Sequence, residues 1–360
     1  MGLEPDELER TLATHFEERG EPSYRVEQVV HGLHEEVADG AEALTTLPKE
    51  ERAVLAERFR WTELAPHTVS RSEDGTAKHL WELDDGELVE SVLIPSGDRL
   101  TLCISSQAGC ALGCTFCATG WSGFARQLRT GEIVAQYRGA RRWAREHGYG
   151  RISNVVYMGM GEPLANRAAV FPSLTILNRA YGVGARRITV STVGVVPGIL
   201  ELADRPEQFT LAVSLHAPTH ELRNRLIPLE KRHPLPELLD ALRTYLLRAG
   251  RRVTFEYTMI DGVNDDPELA GKLAELAGDL GAFVNLIPFN PIPYRDWRPS
   301  PAERIDAFAD VLRERDVPVE VRRPRGRDID AACGQLRAEA KDGWKRAAGA
   351  AVGGGAVGDD

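Results

Sequence analysis

Cysteine is the residue type whose placement could do chemistry in this chain. There are five, and four of them, Cys103, Cys110, Cys114 and Cys117, fall within fifteen residues; Cys333 stands more than 200 residues further on. An odd number, clustered in this way, does not read as a disulfide framework. It reads as metal or redox chemistry. Cys110, Cys114 and Cys117 are spaced C-x3-C-x2-C in QAGCALGCTFCATG, directly after the strand-like RLTLCIS. Three thiolates on one short loop can hold three corners of a 4Fe–4S cubane, whose usual ligand set is four cysteines. No fourth cysteine stands at comparable spacing, so the fourth iron would be open to a small ligand, as catalytic metal sites are. Gly109 and Gly113 let such a loop turn closely. Zinc would ask for a fourth Cys or His, and the histidines offer no matching pair. Three unrelated buried cysteines would explain neither the spacing nor the strand-end position.

A loop of this kind needs elements that hold it. Strand-like segments lie at 99–105, 152–158, 186–192, 209–215, 252–260, 282–289 and 318–323, with helix-like stretches between them. Alternation of this kind predicts a parallel sheet with right-handed crossovers, and roughly six units predict an α/β fold: a full or partial (β/α) barrel or an open doubly wound sheet. In each, function sits at the C-terminal ends of the strands. Residues 1–65 read as a small helical domain from apolar residues at three-to-four spacing. Residues 66–98 alternate apolar and polar, with Asp-Gly turns at 74–75 and 85–86, which predicts a short antiparallel extension. The core then runs over 99–345, and the low-complexity tail 346–360 is expected to be disordered.

Polar residues recur at the strand ends. Tyr157-Met158-Gly159-Met160-Gly161-Glu162-Pro163 follows the second core strand, and its glycines and carboxylate could meet an ammonium group. Ser191 follows the third strand, Ser214-Leu215-His216 closes the fourth, and Asn290 follows the sixth. One Ser or Asn in such a place is a turn or a cap. Four such sites at successive ends converge on one pocket.

With these segments together, the sequence resembles the radical S-adenosylmethionine (SAM) superfamily. The resemblance implies a partial (β/α)6 barrel and a 4Fe–4S cluster on Cys110, Cys114 and Cys117. It further implies SAM contacts from Gly161, Glu162, Ser191, Ser214, Leu215, His216 and Asn290. In that superfamily the cofactor carries the hard chemistry while the protein binds, orients and excludes side reactions.

Cys103 and Cys333 lie outside that motif, and a buried small hydrophobe is the plain reading of each. Their contexts, TLCISSQAGC and RGRDIDAACGQL, nevertheless resemble the RlmN/Cfr class of radical SAM RNA methyltransferases, with the RlmN branch nearer, over about residues 20–340. The resemblance implies methylation at C2 of an adenosine in the peptidyl-transferase centre of 23S rRNA. In some bacteria it extends to the adenosine 3′ of the tRNA anticodon. It implies two SAM molecules per turnover: one methylates Cys333, and the second yields the radical that activates the S-methyl group for addition to C2. Cys103 would release Cys333 by forming a disulfide with it. Glu90, in LVESVLIP, would take the C2 proton, although a solvated strand carboxylate is its plain reading. An electron donor such as flavodoxin is implied as a partner. A Cfr-type enzyme acting at C8 would share every cysteine. A radical SAM activase or reductase would not need the Cys103–Cys333 pair, and an iron–sulfur carrier or sensor would prefer four cysteine ligands.

The chain carries 44 basic and 54 acidic side chains, and the first sixty residues hold 7 and 15 of these, so the remainder is near neutral. Global charge therefore does not exclude an RNA partner. Arg322, Arg323, Arg325 and Arg327 form a basic run beside Cys333 that suits phosphates. Arg141–Arg142 and Arg251–Arg252 read as plain surface. No apolar run approaches the roughly 18 residues of a membrane span. The acidic start MGLEPDELERTLATHF predicts neither a secretory signal nor a transit peptide, hence a cytoplasmic setting without membrane partners.

Overall fold

The structure, a computed structural model, describes residues 2–338. The predicted tail 346–360, and the last residues of the core segment 99–345, lie outside the described residues. Among the described residues no helix is long and apolar enough to cross a membrane.

Three helices open the chain: α1 (Pro5–Glu18), α2 (Tyr24–His34) and α3 (Lys49–Arg58). Pro5 starts α1, with Asp6 and Glu7 against the helix dipole in its first turn. Leu12 and Phe16, four residues apart, share one face and meet Val29, Leu33 and Leu55 in an apolar core separate from the main one. Arg19 closes this group with a forked pair to Glu51, at 2.5 Å and 2.9 Å. The helices dock on the rest of the chain through charge. Arg138, almost fully buried, pairs with Glu63 at 2.8 Å, and Arg179 pairs with Asp6 at 2.5 Å. Arg141 donates to the His34 carbonyl at 2.8 Å and Arg142 pairs with Glu63 at 3.1 Å. These two arginines, expected on plain surface, are docking contacts; the carbonyls that hold Arg141 and the acids that hold Arg142 come from a distant part of the sequence.

Next come β1 (Pro66–Arg71), β2 (Ala77–Glu82), β3 (Leu88–Ser96) and β4 (Arg99–Cys103), an antiparallel meander. Gly75 and Gly86 make its first two turns at φ +84° and +81°, where the Asp-Gly pairs predicted them. The core then reads β5 (Gln107–Gly109), α4 (Ala118–Trp121), β6 (Phe124–Gln127), α5 (Thr130–Glu146), β7 (Ile152–Tyr157), α6 (Arg167–Thr175), β8 (Ile188–Thr192), α7 (Val196–Ala203), β9 (Thr210–Ser214), α8 (His220–Leu226), α9 (Leu235–Ala249), β10 (Thr254–Met259), α10 (Pro267–Leu280), β11 (Phe283–Pro288), α11 (Ala302–Glu314) and β12 (Val319–Val321). One ten-stranded sheet runs β1-β2-β3-β4-β7-β8-β9-β10-β11-β12, parallel from β4 onward. Each consecutive parallel strand is the next neighbour, which is the order of a (β/α) barrel. Among the described residues no ladder joins β12 back to the meander, so the barrel is partial.

Strand β10 shows how the sheet divides its faces. Phe255, Tyr257 and Met259 are fully buried in the main apolar core, and Tyr257 meets Phe308 of α11 at 5.3 Å. Glu256 and Thr258, between them, line a cavity on the other face. The two-residue period of a strand sets this split. Each fully buried large apolar side chain contributes about 1.5–3 kcal/mol, so one face secures the fold while the other is left for function.

Candidate functional site

The cavity lies where the strand ends predicted it, and the cysteine loop forms one of its walls. β5 and β6 pair as a ribbon outside the main sheet and carry the loop between them. Gly109 sits at φ +78°, and a Cβ there would lie 2.0 Å from the Gly123 carbonyl oxygen, so no other residue closes this ribbon. The Cys110 amide donates to that same carbonyl at 2.8 Å, and the Thr115 amide donates to Leu226 at 3.0 Å. Cys110, Cys114 and Cys117 all line the cavity. Burial pushes the Cys110 thiol up to about 12 and the Cys114 thiol well above its ordinary value, each raised further by neighbouring cysteines. These sulfurs become thiolates only against a strong positive centre. Among the described residues no trio of His, Cys, Asp or Glu converges tightly enough to grip a single metal ion. A cubane, which binds each thiolate through a different iron, asks for a wider set of sulfurs. The donor set fits it.

The opposite wall holds most of the polar strand ends. Gly161, Glu162, Ser191, Ser214, His216 and Asn290 line the cavity; Leu215 is fully buried behind it in the main core. Gly161, at φ +97°, packs on Gln107, whose side chain a Cβ would meet at 2.5 Å. Gln107 in turn accepts from the Glu162 amide at 2.8 Å. Glu162 accepts from the amides of Leu164 (3.0 Å) and Val193 (2.9 Å), and burial pushes its carboxyl up to about 7. No Lys or Arg among the described residues pairs with it, which leaves its charge for a bound cation. His216 accepts the Thr258 amide on Nδ1 at 2.9 Å, and burial lowers its pKa to about 3. It is therefore neutral, with its proton on Nε2. Its ring meets Phe116 of the cysteine loop edge-on at 4.3 Å, which joins the two walls. Asn290 is already engaged, its amide donating to the Cys333 carbonyl (3.1 Å) and accepting from Arg327 (2.9 Å).

Cys333 reaches this cavity on an irregular segment fastened by polar contacts. The Gly334 carbonyl accepts from the Ala118 amide at 2.7 Å, and Thr119 donates to the Leu336 carbonyl at 2.6 Å. Cys333 lines the cavity, while Cys103 lies buried at the end of β4, close enough for Cys333 to raise its thiol further. Burial raises both thiols, and Arg322 opposes the rise in each. Both are free, as are the other three cysteines. Glu90 is elsewhere. It is buried, pairs with Lys78 at 3.0 Å, and accepts from the amides of Arg337 (2.8 Å) and Ala338 (3.0 Å). It is not on the cavity wall. In the basic run, Arg322 lines the cavity, Arg327 turns inward to Asn290, Arg325 is 3.9 Å from Asp74, and Arg323 is exposed.

Sequence reasoning missed Glu256. It lines the cavity, accepts from Asn285 at 2.9 Å and lies 3.5 Å from Arg322, and its Oε2 accepts no hydrogen bond among the described residues. Burial raises its pKa, opposed first by Arg322. The signal was available: one acid between Phe255 and Tyr257 in the strand-like RVTFEYTMI is a buried carboxylate in need of a reason.

With this geometry in hand, comparison with known proteins is specific. The radical SAM superfamily profile matches residues 104–273. A relative from Gemmatimonas aurantiaca named "Probable dual-specificity RNA methyltransferase RlmN" is 50% identical over 94% of this chain and 93% of its own. One of the same name from Thermotoga neapolitana is 45% identical over 95% and 98%. The crystal structure of a radical SAM methyltransferase from Sphaerobacter thermophilus superposes with a TM-score of 0.89 at 48% identity, covering 94% of this chain and 98% of that one.

Proposed function

The chain belongs to the RlmN family of radical SAM dual-specificity RNA methyltransferases, and from that membership we propose that it methylates C2 of an adenosine in 23S rRNA and of the adenosine 3′ of the anticodon in tRNA. The family implies SAM and a 4Fe–4S cluster. Cys110, Cys114 and Cys117 are proposed to hold the cluster. Gly161, Glu162, Ser191, Ser214, His216 and Asn290 would face SAM, with Leu215 fixing the wall behind them. When bound, this pair supplies a one-electron cleavage of SAM and hence a carbon radical able to take a hydrogen atom.

One observation carries the reading: Cys333 lines the same cavity as the three-cysteine loop, and Cys103, 230 positions earlier in sequence, is buried near enough for Cys333 to raise its thiol further. Adenine C2 is electron-poor and has no lone pair to attack a sulfonium, so a carrier sulfur is chemically sensible. In this account Cys333 would take a methyl group from a first SAM, and a second SAM would supply the radical chemistry. Cys333 would then present its activated methylene to C2, and the adduct would give up one electron, which an iron–sulfur cluster can accept, and the C2 proton. Attack of the Cys103 thiolate on the Cys333 sulfur would break the bond from that sulfur to the methylene carbon, which takes up a proton to become the product methyl, and leave the two sulfurs as a disulfide. Glu90 is proposed as the proton acceptor. Its present contacts with Arg337 and Ala338 mean that the Cys333 segment must shift before it can serve. An external electron donor of the flavodoxin kind would complete the cycle.

The test is nucleoside mass spectrometry of RNA from a strain lacking this protein, before and after complementation. Restored 2-methyladenosine in 23S rRNA and tRNA supports the reading. Product at C8 would move the assignment to the Cfr-type alternative.

A further inference from the structure

We propose that Trp121, Tyr294, Arg295 and Trp297 form a stacking platform at the cavity mouth for an unpaired nucleobase adjacent to the target adenosine. The proposal rests on the RNA methyltransferase reading above and names the contact that would hold the flanking nucleotide. Of the five large apolar side chains most exposed among the described residues, Trp121 (44%) and Tyr294 (39%) belong to this cluster. The rings of Trp121 and Tyr294 stack at 5.8 Å with 15° between their planes. The Arg295 guanidinium lies 5.0 Å from the Trp121 ring and 5.2 Å from that of Trp297.

The cluster is continuous with the cavity. Thr119 and Gly120 line the cavity and Trp121 follows them; Phe289 and Asn290 line the opposite side, and Phe289 meets Trp297 edge-on at 6.2 Å. Trp121 is also pinned, its Nε1 donating to the Thr115 carbonyl at 3.2 Å. Two chain segments more than 170 residues apart thus build one rigid, wet, aromatic surface. Trp297 is half-buried and packs on the apolar cluster around Phe289, but the exposed faces of Trp121 and Tyr294, with a guanidinium beside them, do not serve the core. Its chemistry suits a flat base with an adjoining phosphate: the rings offer stacking, and Arg295 and Arg298 outnumber Asp296 in the same stretch. A base drawn into the cavity for chemistry leaves its neighbour outside the mouth, one phosphodiester away, where a stacking partner offsets the lost base stack.

The experiment uses reconstituted holoenzyme and a substrate RNA oligonucleotide with 2-aminopurine next to the target adenosine. Trp121→Ala, Tyr294→Ala and Trp297→Ala should each weaken binding and raise KM by about tenfold, the scale of one lost base stack. They should also remove the 2-aminopurine quenching seen with wild type. Iron content and Cys333 methylation should not change, and Trp121→Phe should restore most of the affinity. If Trp121→Ala loses iron, Tyr294→Ala and Trp297→Ala, outside the cysteine loop, decide the matter. A doubly substituted Tyr294→Ala/Trp297→Ala protein that binds and quenches as wild type overturns the platform. Wild-type turnover on the same RNA, measured alongside, then leaves the methyltransferase reading intact. Wild type that neither binds nor methylates RNA overturns both.

Discussion

Cys103 and Cys333 share surroundings but differ in access. Cys103 is 8% exposed at the end of β4, while Cys333 is open to the cavity. That asymmetry suits a carrier that meets the substrate and a second thiol that meets only the carrier. If Cys103 did no more than pack, Cys103→Ala would cost about 1–2 kcal/mol of stability and leave turnover largely intact. As the releasing thiol, its loss should instead trap RNA on Cys333. Cys103→Ala made in cells should migrate as a nuclease-sensitive, high-mass adduct, and the double variant with Cys333→Ala should show none. An active Cys103→Ala enzyme would refute the role. The cysteines were legible in the sequence because side-chain type and spacing are local facts. The surroundings of Glu90 were not, because Lys78, Arg337 and Ala338 reach it only through the tertiary fold. Glu256 stood between: its burial could have been read from its strand, but its partner Arg322 could not.

At the scale of elements, the segment that bears Cys333 is held by side chains more than by regular structure. Gly326 donates to Asp74 at 3.1 Å, Ser72 to Asp328 at 2.6 Å, Lys78 to the Asp330 carbonyl at 3.2 Å, and Arg337 to Asp330 at 3.0 Å. Glu90 is the most buried anchor of this set. Glu90→Gln replaces a charge-assisted acceptor by a neutral one, so stability should fall by about 1–3 kcal/mol. Limited proteolysis within 326–338 should accelerate. An unchanged melting temperature with unchanged proteolysis would show that Glu90 does not fasten the segment. The parallel strands were readable as apolar runs with a polar residue at the end. β5, α4, β6 and α8 were not, since Gln107–Gly109, Ala118–Trp121, Phe124–Gln127 and His220–Leu226 contain no apolar run to mark them. The ribbon of β5 and β6 depends on one close approach, Gly109 against Gly123, that no pattern announces.

Over the whole molecule, two buried histidines answer to pH, His34 where the N-terminal helices meet the barrel and His79 within the meander. His34 packs on Tyr181 at 5.2 Å beside Arg138, Arg141 and Glu35, and its pKa falls to about 4, mainly through burial. His79 is fully buried, stacked on Trp81 at 5.0 Å; its pKa falls to about 3 through burial, with His147 adding to the drop. An unfolded histidine takes a proton near pH 6.5, whereas these two stay neutral well below it. The unfolded state thus binds more protons in that window, so stability is complete above about 6.5 and is lost as pH falls toward 4 and 3. Melting temperature should decline steadily from pH 7 to 5. Neither ring nitrogen of His79 has a hydrogen-bond partner among the described residues. His79→Phe should therefore keep the stack on Trp81, raise the melting temperature and flatten its pH dependence. A lower melting temperature with the same slope would contradict this.

The central claim is that the methyl group travels by way of Cys333, whichever RNA receives it. The direct measurement is the deuterium content of the methyladenosine made when SAM carries a trideuterated methyl group. Passage through Cys333 with hydrogen-atom removal predicts a product methyl retaining two deuteriums, with the third recovered in 5′-deoxyadenosine. A product that keeps all three would mean direct transfer from SAM and would contradict the account.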